Sequence, residues 1–130
     1  MIHTHSLGRA RRYYPERTAF ASRDEQSTFR ELHDRVGRIA AALTKHGFRK
    51  GDRLGLLLPN EPEYVELVYA CAWLGVIAVP LNTRLSAKEI DHVLNDAAPH
   101  GVDSAFVAGC SKRCASWPTG HRQRTTRPWE

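Results

Sequence analysis
Two short aliphatic runs, Leu54 to Leu58 and Val76 to Val79, flank a helix-length segment that is apolar almost throughout, and each run closes on a proline, Pro59 and Pro80. A strand, a crossover of about a dozen residues and a second strand make the pattern of a parallel βαβ unit. Leu54, Leu56, Leu57 and Leu58 do not alternate with polar residues, so the first strand is written for a sheet covered on both faces. Asn60 is placed to cap the crossover helix, with Pro62 near its start, where a missing N–H costs little. Tyr64, Leu67, Val68, Cys71 and Leu74 supply its buried stripe, and Gly75 ends it.

Upstream, residues 6–14 read as a short basic helix, and Thr18 to Ala21 with Gln26 to Thr28 read as a small hairpin. Thr28 opens a capping box with Glu31, the threonine hydroxyl accepting from the N–H three residues on while the carboxylate reaches back. Leu32, Val36, Ile39 and Leu43 then recur at helical spacing, against a polar face of Arg30, Asp34, Arg38 and Lys45. Gly47 suits the left-handed turn after the helix. Downstream, Ser86 and Glu89 form a second capping box ahead of a short helix with Ile90, Val93 and Leu94 on its apolar face. No third aliphatic strand is expected after it. Pro99, His100 and Gly101 interrupt, and only Ala105-Phe106-Val107 remains. From Ala108 to Glu130 there is no Leu, Ile or Val, so this tail is expected to be disordered for want of apolar surface.

Composition changes little in this picture. With 130 residues and 42% hydrophobic content the chain has room for one domain. No stretch reaches the roughly 18 to 20 apolar residues of a membrane span, and the basic N-terminus has no apolar signal core, which makes the cytoplasm the expected compartment. The formal charge of +5 is concentrated in the tail, where Lys112, Arg113, Arg122, Arg124 and Arg127 face one acid, Glu130. The body is close to neutral with both signs interspersed, which argues against a nucleic-acid-binding surface. The Arg9, Arg11, Arg12 cluster reads as the solvated face of the first helix, with phosphate contact as its alternative.

Candidate chemistry is sparse. No Gly-x-Gly fingerprint and no Walker-type loop occurs, and no Ser/His/Asp set has a supporting motif. Cys110 and Cys114 with His121 lack zinc-knuckle spacing and an evident fourth ligand; His3 and His5 read as an adventitious pair. Cys71 reads as a small buried hydrophobe. No catalytic, cofactor-binding or metal-binding residue is assigned. Asn82 and Thr83 stand apart because they follow a parallel strand at its carboxyl end, where open α/β sheets place ligands. The plainer reading of Asn82 is that it ties its own loop.

Taken in order, several stretches resemble the N-terminal part of the adenylate-forming, AMP-binding superfamily, and within it the acyl-CoA synthetases. They are Ser27-Thr28-Phe29-Arg30-Glu31-Leu32, Gly47-x-x-Lys50-Gly51-Asp52-Arg53, Leu56-Leu57-Leu58-Pro59-Asn60-x-Pro62-Glu63-Tyr64, Ala70 through Asn82, and Leu85-Ser86-x-x-Glu89-Ile90 through Asp96. The resemblance implies an α/β fold, here a partial parallel βαβ layer from the N-terminal subdomain of such an enzyme, with residues 1–98 as the domain piece and 99–130 as an irregular basic tail. It further implies a family that activates a carboxylic or fatty acid with Mg-ATP to an acyl-adenylate and then forms acyl-CoA.

The family's phosphate loop, adenine and ribose motifs and catalytic lysine have no matching positions here. The expectation is therefore a truncated synthetase that is inactive as it stands and binds neither ATP, Mg nor coenzyme A by itself. The tail composition is what an out-of-frame reading of a GC-rich gene gives. Two alternatives remain at this level: a module that needs a complementary synthetase chain as partner, and a small basic nucleic-acid-binding protein.

Overall fold
A computed structural model describes residues 2–23 and 25–103, with backbone alone for residues 2–4 and 103. The possible strand at Ala105 to Val107, the tail and its Cys110, Cys114 and His121 lie outside the described residues.

Among the described residues nine elements follow one another: α1 (Ile2–Tyr13), β1 (Thr18–Ala21), β2 (Gln26–Thr28), α2 (Phe29–Lys45), β3 (Arg53–Leu56), α3 (Pro62–Leu74), β4 (Ile77–Pro80), α4 (Ala87–Ala97) and β5 (Gly101–Asp103). The hairpin expected from the polar turn forms, β1 pairing antiparallel with β2. Both capping boxes form as the sequence predicts. The Thr28 hydroxyl accepts from the Glu31 N–H at 3.3 Å while the Thr28 N–H donates to Glu31 Oε2 at 2.9 Å. At the second box, the Ser86 N–H donates to Glu89 Oε2 at 2.8 Å.

The predicted βαβ unit is present: β3 and β4 run parallel, with Leu54 opposite Ala78 and Leu56 opposite Pro80. The strands sit about one residue from the expected runs, and α1 starts earlier than residue 6. The crossover helix is entered through Glu61, without a side-chain cap, and Pro62 occupies its first turn. Asn60 is thereby released from the capping role expected of it. Gly75 closes the helix in the left-handed region at φ 73°, and its carbonyl accepts from the Gly51 N–H at 2.9 Å, tying the two strand entries together.

The absence of a third strand is the expectation that fails. β5 pairs parallel with β3 on the side away from β4, giving the order β4-β3-β5. The signal was unreadable because the strand is three residues long and begins on a glycine. Packing is tight at that glycine: a Cβ at Gly101 would lie 3.0 Å from Cζ of Phe48, so a side chain there needs the ring to give way by a few tenths of an ångström. The His100 N–H donates to the Arg53 carbonyl at 2.8 Å and starts the ladder that an aliphatic count would miss.

One face of the sheet carries the core. Leu54 and Leu56 pack with Leu7 of α1, Leu32, Val36, Ile39, Ala40 and Leu43 of α2, and Leu67, Ala70 and Cys71 of α3. On the other face Gly55 lets Val102 and Leu81 close in; a Cβ there would stand 3.3 Å from the valine. Leu81 and Leu94 are buried on their own, outside the main cluster. Ile77, on β4 at the edge of the sheet among the described residues, is 49% exposed.

Candidate functional site
The loops leaving the carboxyl ends of β3 and β4 face each other across an open cleft of about 570 Å³. Its walls are apolar where the chain has just left the sheet: Leu58 and Pro59 on one side, Pro80 and Leu81 on the other. Leu81 is held in place because its N–H donates to the Leu56 carbonyl at 2.9 Å, extending the ladder one step past β4. The polar groups are Asn60, the Tyr64 phenol, Asn82, Thr83 and Arg84.

The structure thus brings Asn82 and Thr83 to the place the sequence indicated, and both are exposed. It also supports the plainer role for Asn82. Its Oδ1 accepts from the Arg84 N–H at 2.9 Å, and its carbonyl accepts from the Leu85 N–H at 3.2 Å. This is a side-chain-tied turn of the kind asparagine favours. Asn60 and Arg84 were missed as cleft residues. Asn60 looked like a helix cap, and Arg84, although it follows Thr83 directly, belongs to no motif that would mark it.

Among the described residues Arg84 is the one charged residue lining the cleft. A guanidinium, two amides, a hydroxyl and a phenol can bind an anionic or carbonyl group, but they contain no carboxylate to act as base and no activated nucleophile. With one cation and no acidic ligand the cleft does not fit Mg-ATP, and no adenylation step is derived from it. Among the described residues no group of His, Cys, Asp and Glu is placed to hold a metal. His5 is exposed, and the His3 side chain lies outside the described residues. Cys71 is buried and forms no disulfide.

The remaining titratable groups hold the scaffold. Glu66, 2% exposed, sits among the apolar residues of α3 and meets Arg35 of α2 at 3.0 Å, and the same guanidinium nitrogen reaches Glu25 at 2.7 Å. The hydrogen bond to Glu25 first, and that to Glu66 second, push the Arg35 pKa above its ordinary value. The sequence carried a trace of this pair. Arg35 interrupts the apolar edge of α2 one position before Val36, and Glu66 is a lone acid inside an apolar run. Glu63, in the first turn of α3, buries Oε2 without a hydrogen-bond partner among the described residues, where the helix N-terminus offers partial positive charge. At the amino ends of the strands, His100 Nε2 lies 3.2 Å from Asp52 Oδ1, and its Nδ1 accepts from the Arg53 N–H at 3.3 Å. Among the described residues no helix is long and apolar enough to cross a membrane.

Against known proteins, the family model described as "AMP-binding enzyme" matches residues 7–118. A feruloyl-CoA synthase from Amycolatopsis is 43% identical over 89 residues, covering 68% of this chain and 18% of that protein. The long-chain-fatty-acid–CoA ligase FadD13 of Mycobacterium tuberculosis is 43% identical over 101 residues, covering 75% of this chain and 20% of the ligase. The chain therefore spans about a fifth of the length of the curated relatives it matches. Among solved structures, the o-succinylbenzoate CoA synthetase of Bacillus subtilis, determined with its acyl-adenylate intermediate, superposes with a TM-score of 0.71 at 41% identity, over 74% of this chain and 25% of that one.

Proposed function
The chain belongs to the AMP-binding enzyme family, and on that premise we propose that these 130 residues are the N-terminal scaffold of an acyl- or aryl-CoA ligase, without adenylating activity of their own. The reading rests on one observation above the others: the matched segments build strands, caps and core, while the cleft between the β3 and β4 loops holds no acid, base or nucleophile among the described residues. In such a ligase the carboxylic acid, ATP, Mg and coenzyme A are handled by residues other than those described. The sheet supplies the platform on which that chemistry is mounted.

ATP–pyrophosphate exchange with a panel of fatty and aryl acids tests the reading. Exchange at the level of a protein-free blank is expected; exchange that rises with one of the acids overturns it.

A second reading has its own support. β4 pairs only with β3 among the described residues and leaves Ile77 half in water. An edge of this kind can accept a further strand. A complementary synthetase chain is the partner that reading requires, and co-purification with one from the source cells tests it.

A further inference from the structure
At the amino ends of the strands a side chain stands where the ladder calls for a carbonyl. Arg53 turns its backbone toward β5, and its carbonyl accepts from the His100 N–H at 2.8 Å. Its own N–H finds no backbone acceptor among the described residues, because the chain before His100 is still leaving α4, with Ala98 left-handed at φ 41°. That N–H donates instead to the imidazole Nδ1 of His100 at 3.3 Å. The other ring nitrogen, Nε2, lies 3.2 Å from Asp52 Oδ1. A ring nitrogen accepts only while it carries no proton. The single proton of this neutral imidazole is therefore on Nε2 and points at the carboxylate.

The charges around the ring are already committed. The second oxygen of Asp52 accepts from the Arg49 N–H at 2.8 Å. The Arg53 guanidinium reaches the Ala97 carbonyl at 2.7 Å, so one residue ties both α4 and β5 to β3. The remaining charged residues on the elements that meet here are Lys50 in the turn, Asp96 on α4 and Asp103 on β5. The His100 side chain is 57% exposed, so solvent protons reach the ring. A second proton turns Nδ1 from acceptor into donor and sets it against the Arg53 N–H, while Nε2 still donates to Asp52. One contact of β5 does not titrate: the Phe48 ring packs against the adjoining Gly101.

We propose that His100 is a proton-operated latch between β3 and β5. Neutral, its Nδ1 completes the ladder at Arg53; protonated, it releases that N–H, and the start of β5 loosens while the rest of the sheet stays paired. The latch stands on this geometry and is independent of the ligase reading.

Amide hydrogen exchange of the whole 130-residue chain, read by NMR as protection factors, tests it. The range runs from about pH 8 to about pH 5, the interval in which an imidazole changes charge. The Arg53 amide is expected to lose protection about five-fold on acidification, the change that one net hydrogen bond gives. The Ile77 amide, which donates to the Asp52 carbonyl at 2.7 Å on the other flank of the sheet, should hold its protection. His100→Asn places an amide oxygen where Nδ1 stood and takes up no second proton, so its Arg53 amide should stay protected throughout. His100→Gln carries its amide one bond further out, and its Arg53 amide should be open throughout. Ring-nitrogen shifts of the parent at the higher pH should place the proton on Nε2.

Three results overturn the proposal: an Arg53 amide that keeps its protection in acid or loses it only in step with Ile77, a His100→Asn chain that follows the pH course of the parent, or a ring proton on Nδ1 at the higher pH. The first and last are read on the parent, so they decide even where a variant does not fold. The readout involves no ATP and no acid substrate, so its failure leaves the ligase reading standing.

Discussion
A buried carboxylate on an apolar helix is tolerable only while its partner stays, and Glu66 depends on Arg35 for that. Arg35→Ala leaves the acid at 2% exposure with no cation beside it. The expected cost is about 2 kcal/mol, toward the low end for a broken pair because the guanidinium itself reaches solvent. Replacing Glu66 by Leu together with Arg35 by Met should recover most of that loss. Urea midpoints of the three chains check the pattern, and equal midpoints for Arg35→Ala and the parent would show that the pair contributes nothing. The two capping carboxylates make a pH prediction. Glu31 is held below the usual carboxylate range by the Thr28 backbone N–H and then its hydroxyl, and Glu89 by the Ser86 hydroxyl and then its N–H. A folded-state pKa below the unfolded one gives stability that is present at neutral pH and is lost as pH falls through the folded value. Thermal midpoints should therefore drop in acid, and E31Q/E89Q should flatten that drop while starting from a lower midpoint at neutral pH.

At the scale of elements, what could be read from sequence was periodic stripes and two-residue capping boxes, whereas the lone cap expected at Asn60 did not form. The stripe of Leu32, Val36, Ile39 and Leu43 is buried as its spacing required, and Thr28 and Ser86 start their helices as their boxes required. Gly75 shows the same legibility at a helix end. A side chain there must adopt φ 73° and bring its Cβ within 2.8 Å of Lys50 Cγ. Gly75→Ala is expected to cost about 1–2 kcal/mol, and Gly75→Asn less, since asparagine enters the left-handed region more readily. A denaturant titration in which the alanine chain matched the parent would contradict this. What could not be read was what depends on partners far along the chain. β5 has no aliphatic run, and its place is set by Phe48 and Arg53, which no local window contains. Half of the cleft was visible for the same reason. Asn82 and Thr83 followed a strand whose polarity was legible and Arg84 lies next to them in the same loop, whereas Asn60 joined them only when two loops distant in sequence came face to face.

Among the described residues the sheet is covered by three helices on one face and thinly on the other, with β4 at an edge. Ile77→Lys places a charge on that edge where the isoleucine is already half in water. It should change unfolding free energy by no more than about 0.5 kcal/mol while lowering light scattering of concentrated samples. Unchanged scattering would show that self-association runs through another surface. The central position of β3 has a consequence in time as well. One flank of the strand is satisfied by β4 soon after synthesis, but the other waits for Arg53 to meet His100, 47 positions later. Until that stretch has left the ribosome the strand's amides and carbonyls on that side have only water as partner. The nascent chain then passes through an interval in which its central, most buried strand is open on one flank, and chaperone capture or sticking to a neighbour competes with closure.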